Sequence, residues 1–198
     1  MLLAKNVVDS NNVKYQNIAH QGAQEARSRR TLPTPPGGNI HDYVPFYFAP
    51  RSPMLSAIHN KRVANCDFTQ SDIVHIETTV NAVTGLGQPF VFFDRNATFD
   101  YSNAYTNLAQ LDQVAWDLIT ETPQLDGYCK FFQDDQTKPR YVDRKAKRMA
   151  EFLVKTRVPI GAITRIGVHT QAKRLEVQQI ATTYNITTPI IVMPDWYF

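Results

Sequence analysis

The apolar residues of this sequence come in short, scattered runs, and this limits the fold more than any other feature does. Residues 44–49, 73–79, 90–93, 150–154, 162–168 and 189–193 are rich in β-branched and aromatic side chains and are short enough to be strands. In 73–79 the alternation sets Ile73, His75 and Glu77 on one face and Val74, Ile76 and Thr78 on the other, the pattern of a half-buried strand. Residues 90–93 follow a Gly85-Leu-Gly87-Gln-Pro89 turn and are apolar throughout, so they are expected to be buried on both faces. Pro45 places its own run at a sheet edge or at a strand start. Helical spacing occurs twice. Leu108, Leu111, Ala115, Leu118 and Ile119 predict an amphipathic helix from Asn107 that stops before Pro123, with Trp116 on its core face or at its edge. Residues 171–184 predict another. Strands in the centre and helices around them make an α+β chain.

At 198 residues and 43% hydrophobic content, the chain is sized for one domain, 1–198, with a real core. Lys and Arg number 21 against 18 Asp and Glu, a net charge of +3 too small to predict a nucleic-acid partner without regard to where the charges lie. Cys66 and Cys129 lack metal-ligand spacing, and nothing in the sequence pairs them, so no metal is expected and a reducing cytoplasm is the expected location. The opening Met1-Leu-Leu-Ala-Lys-Asn6 is too short an apolar stretch for a signal peptide, and no later run reaches membrane-spanning length.

Several site types are missing from the sequence. There is no phosphate loop, no dinucleotide fingerprint, no Gly-x-Ser-x-Gly elbow and no His-Glu-x-x-His. Two segments stand out instead. The first runs from Pro35-Pro-Gly-Gly through His41-Asp42-Tyr43 and Tyr47-Phe48 to Arg51-Ser-Pro-Met54-Leu55, an aromatic strand bracketed by proline and glycine turns and dense in polar groups. Each residue there has an ordinary reading, with Tyr43, Phe46 and Phe48 as core and His41-Asp42 as a turn pair, but the segment as a whole reads as a site. The second, 125–148, passes from aromatic to acidic to basic, ends in Lys138, Arg140, Arg144, Lys145, Lys147 and Arg148, and leads directly into Ala150-Glu151-Phe-Leu-Val154. His59 and His75 are lone histidines and are left out of the site.

The run from His41 to Leu55 closely resembles the signature of the DarT family of DNA-modifying ADP-ribosyltransferase toxins. Ala150-Glu-Phe-Leu-Val154 and the closing Asp195-Trp-Tyr-Phe198 resemble later landmarks of the same family, and the resemblance extends from Leu2 to the C-terminus. It implies an ADP-ribosyltransferase-like fold with a central, mostly antiparallel split sheet and flanking helices. It also implies NAD as co-substrate, a base in single-stranded DNA (thymidine in the branch that fits best) as acceptor, and a macrodomain antitoxin of the DarG type as partner. Residue by residue, it implies Glu151 and Arg27 as catalytic and Arg27, Leu3, Tyr47 and Phe48 as NAD-binding, while Arg51 and Met54 are expected as DNA-binding because a strand needs phosphate-binding charge beside stacking surface. Family members carry a strand and a helix ahead of the Leu-Leu-Ala-x-Asn segment, the strand bearing a His that helps to seat NAD; the sequence that starts at Met1 is expected to lack them.

The chemistry of the residues gives a reading of its own. Cleavage of a nicotinamide–ribose bond builds positive charge on the ribose, which calls for a fixed carboxylate beside it. Glu151, at the start of an apolar strand, is the best candidate; its other reading is a solvent-facing glutamate paired with Lys147 or Arg148. A pyrophosphate calls for the paired donors of arginine, which Arg27, Arg29 and Arg30 offer unless they form a solvated helix face. Arg144, Lys145, Lys147 and Arg148 sit next to Glu151 in sequence and suit a phosphate backbone, although a charge run is also a common solvated surface. The rival functions are NAD hydrolysis, ADP-ribose transfer to protein, and an inactive nucleic-acid-binding remnant.

Overall fold

The computed structural model describes residues 1–15, 18–19, 21–122 and 133–198; Cys129 and the first part of the 125–148 segment lie outside them. In chain order the elements are β1 (Leu2–Leu3), α1 (Lys5–Ser10), α2 (Gln21–Arg29), β2 (Tyr43–Tyr47), α3 (Pro53–His59), β3 (His75–Glu77), α4 (Val80–Thr84), β4 (Phe90–Phe93) and β5 (Ala104–Tyr105). There follow α5 (Trp116–Ile119), α6 (Arg144–Lys147), β6 (Glu151–Lys155), β7 (Arg157–Val158), β8 (Arg165–Val168), α7 (Gln171–Thr183) and β9 (Ile190–Val192).

Two main sheets form, ordered β2-β6-β4-β5 and β3-β8-β9, and β1 pairs with β7. Every pairing is antiparallel except β8 with β9, which α7 connects. This is the α+β arrangement the sequence pattern predicts, with the mostly antiparallel pairing the family resemblance implies. The apolar runs become strands because each has a buried face to fill. Strand β6 is buried along Glu151 to Val154 and lies between two neighbours, the environment in which a short, nearly continuous apolar run is stable. Its alternate residues feed two cores. Phe152 and Val154 pack with Val44, Phe92, Ile166 and Val168 in the larger cluster, and Leu153 packs with Tyr43, Val91, Phe93 and Ala97 in the smaller one.

The helix predicted from Asn107 is broken. Residues Leu108–Gln113 form a 3-10 helix, Val114 is extended at ψ 132°, and α5 follows as a short separate helix. The indole N–H of Trp116 donates to the Leu111 carbonyl at 2.8 Å, an acceptor that a continuing helix would use. The break lets Val114, Leu118 and Ile119 all be buried, so tertiary packing overrides the helical spacing. Trp116 stays at the edge, its ring 5.1 Å from that of Phe48.

The turn before β2 is set by polar contacts. Gly38 has φ +95°, and a side chain there would collide with the Asp42 carboxylate. That carboxylate accepts from the Asn39 N–H at 2.8 Å and from the Asn6 amide at 2.7 Å, and the Tyr43 hydroxyl donates to the Gly37 carbonyl at 2.6 Å. The start of β2 is thereby fixed, and with it the register that brings Tyr47 opposite Glu151.

Candidate active site

Glu151, the first residue of β6, keeps only 1% of its surface exposed. A carboxylate withdrawn this far from water needs charge and hydrogen bonds in compensation. Arg27, 124 residues away in sequence, supplies the charge: its Nη1 lies 3.1 and 3.0 Å from the two carboxylate oxygens. The backbone N–H of Ala97 donates to Oε1 at 3.2 Å. The solvent-facing alternative for Glu151 is therefore corrected: its partner is Arg27, because the side chain points into the smaller core's face and away from Lys147 and Arg148.

Arg27 reaches the carboxylate from α2, none of whose residues is fully buried. Gln24, one helical turn before it and on the same face, has its Oε1 3.1 Å from His41 Nε2. Burial first, then the positive charges of Arg27 and Lys5, lower the His41 pKa, which favours the neutral ring. The α2 helix is thus fastened by polar contacts, and Arg27 Nη2, though enclosed, has no hydrogen-bond partner among the described residues. Arg29 points outward with its side chain 80% exposed, and Arg30 pairs with Asp100 at 3.1 Å.

Tyr47, directly across from Glu151 in the sheet, completes the arrangement. Tyr47 keeps 37% of its surface exposed, and burial of the rest, followed by the Glu151 charge and opposed by Arg27, pushes the phenol up to about 12. The hydroxyl therefore stays protonated near neutral pH and can donate a hydrogen bond. Tyr47 also borders a cavity of about 530 Å³ shared with Leu3, Phe48 and Met54, a size within the usual range of ligand pockets, roughly 300–1,000 Å³. The cavity opens mainly on the Phe46, Phe48 and Phe152 face of the sheet, opposite to the carboxylate. The predicted NAD-binding set is thus divided: Arg27 joins Glu151, Leu3 and Phe48 line the cavity, and Tyr47 belongs to both.

The predicted DNA-binding residues also divide. Arg148 is 3% exposed and donates through Nη1 to the Leu118 carbonyl. As a phosphate contact it is corrected, since the α5 carbonyl already takes that donor inside the protein. Arg144 lies against Glu121 at 2.7 Å and over the Tyr141 ring at 4.4 Å. Lys145 is exposed, and Lys147 donates to the Val142 carbonyl at 3.1 Å while partly open to solvent. Arg51 donates through Nε to the Tyr197 carbonyl at 2.8 Å, and Met54 sits in the first turn of α3, capped by the Ser52 hydroxyl.

Among the described residues no group of three or more His, Cys, Asp or Glu converges as a metal site, and no helix is long and apolar enough to cross a membrane.

The family described as ssDNA thymidine ADP-ribosyltransferase, DarT, matches residues 1–198. The chain belongs to the DarT family. A DNA ADP-ribosyl transferase of Thermus sp. (strain 2.9) is 34% identical over 187 residues, spanning 93% of this chain and 82% of that protein. Among solved structures, Thermus sp. 2.9 DarT in complex with ADP-ribosylated ssDNA matches with a TM-score of 0.85 at 34% identity. The same protein in complex with NAD+ matches at 0.82 and 32%. Each alignment covers 100% of this chain and 87% of the solved one. The split, mostly antiparallel sheet of this DarT-family chain is the fold of those structures.

The Ala97 N–H is the site group that no sequence pattern announces, because it is a backbone donor. Gln24 had a signal, its helical spacing from Arg27, and His41 lay within the segment that already stood out.

Proposed function

We propose that this chain transfers ADP-ribose from NAD to thymidine in single-stranded DNA, with Glu151 as the catalytic carboxylate and Arg27 as the residue that engages the donor. The observation that carries this reading is the buried Glu151, held by Arg27 and the Ala97 N–H and faced by Tyr47. The bond from ribose C1′ to the nicotinamide nitrogen breaks, and nicotinamide leaves with the bonding pair. The positive charge left on the ribose is stabilised by a carboxylate that needs no reorganisation. A thymine base atom then bonds to C1′ and gives up its proton, for which Glu151 is the nearby acceptor. Arg27 Nη2 is the donor group still available to a donor oxygen, and the protonated Tyr47 hydroxyl is a second polar contact.

Leu3 and Phe48 belong to the proposal as walls of the adjoining cavity, and Arg51, Met54, Arg144, Lys145 and Lys147 as the surface that guides the DNA. A single transferase unit over 1–198, a macrodomain antitoxin of the DarG type and a cytoplasmic location complete it. Incubation with NAD and short single-stranded oligonucleotides, followed by mass spectrometry of the DNA, is the test. An oligonucleotide containing thymidine is expected to gain one ADP-ribosyl group and a thymidine-free one none. Release of free ADP-ribose without any DNA adduct would favour NAD hydrolysis.

A further inference from the structure

We propose that Arg95 is a positioning residue for Glu151, coupling the catalytic carboxylate to the start of the basic helix α6. The inference rests on the catalytic reading of Glu151 given above.

Strand β4 ends at Phe93, and the next residue, Asp94, is 6% exposed. Its carboxylate accepts from the Asn103 N–H at 3.1 Å and from the Asn103 side-chain amide at 3.0 Å, which closes the loop 94–103 at its base. The first residues of that loop make three consecutive connections. The Arg95 guanidinium spans two carboxylates, with Nη2 3.3 Å from Asp94 and Nη1 2.9 Å from Asp143, the residue that precedes α6. The Asn96 N–H donates to the Ala146 carbonyl within α6 at 3.0 Å. The Ala97 N–H donates to Glu151 Oε1.

The backbone donor to Glu151 is therefore aimed by a segment whose neighbours are attached to the residue before α6 and to a carbonyl within it. Inside the loop, Asn96 is held further, its carbonyl accepting from Ser102 and its side chain accepting from the Thr98 N–H at 2.9 Å. A loop secured at Asp94, Asn96 and Asn103 moves as one piece. The fork of Arg95 is what ties that piece to Asp143, and a displacement of α6 by phosphate occupancy at Lys145 would be felt at the Ala97 N–H. Asp143 has φ +58°, a left-handed conformation that asparagine tolerates well, so Asp143→Asn removes the charge without straining the backbone.

The test compares Arg95→Gln, Asp143→Asn and Glu151→Gln in the full chain, measuring kcat and KM for NAD at saturating oligonucleotide, NAD affinity by calorimetry, and thermal stability. Arg95→Gln and Asp143→Asn are each expected to lower kcat about 10- to 100-fold, as for a misplaced catalytic group, with NAD affinity unchanged within about twofold. Arg95→Lys should recover part of the loss, because one ammonium can satisfy one of the two carboxylates. If Arg95→Gln does not fold, Asp143→Asn decides, since it leaves the Asp94 contact intact. An unchanged kcat in Asp143→Asn, or parallel losses of kcat and NAD affinity, overturns the proposal. Full transfer by Glu151→Gln would instead overturn the catalytic reading beneath it, and so separates the two failures.

Discussion

The contact between Arg27 and Glu151 joins the two site residues and also stabilises the fold. Their side chains are only 13% and 2% exposed, so removing one partner leaves a charge buried. Arg27→Ala is expected to destabilise the chain by about 3 kcal/mol, and adding Glu151→Gln should recover much of that, a coupling that chemical denaturation of the two single variants and the double variant measures. Arg27→Lys keeps the charge and loses the fork. With no second nitrogen to take the place of the unpartnered Nη2, it should bind NAD more weakly by about tenfold in calorimetry; equal affinities would make Arg27 a structural ion-pair partner only. These two residues were legible from a family resemblance and from the need for a fixed carboxylate. Their direct contact was not, because nothing local in sequence relates positions 27 and 151.

Among the elements, the basic helix α6 departs most from its sequence. A run of cations reads as one surface, but Arg148, just after α6, turns inward to α5 and Arg144 turns toward Glu121. Replacing Lys145 and Lys147 by serine is expected to lower the log–log salt slope of single-stranded DNA binding by about 0.7 per lost contact. Arg148→Ala should leave the slope unchanged and lower the melting temperature, since it removes a buried donor and opens space under Leu118. Strands β2, β4 and β6 were legible because alternation and apolar runs report burial directly. The helix expected from Asn107 does not form as one element, because its spacing is helical while Trp116 takes the Leu111 carbonyl, a tertiary choice that no periodicity encodes.

Across the whole molecule, the second sheet is closed against the C-terminal residues by a cluster around His75, whose ring meets Trp196 at 5.6 Å and Tyr197 at 4.8 Å. Burial lowers the His75 pKa from 6.5 to about 4. Between those two values the unfolded chain binds a proton there that the folded chain does not, so stability falls as pH drops from 6.5 toward 4. The contribution lost is about 3 kcal/mol at the low end, and His75→Phe should flatten that part of a melting-temperature profile; an unchanged slope would show that other groups govern it. The strands followed from short apolar runs and the split sheet from the family resemblance, whereas the Tyr47 and Glu151 register and the Ala97 donor arise only when three distant segments assemble. The catalytic assignment stands or falls on Glu151→Gln, assayed for transfer to a thymidine-containing single strand alongside calorimetry with NAD. Transfer is expected to fall by at least about 100-fold with NAD affinity within about threefold of the unmodified chain; undiminished transfer would contradict it.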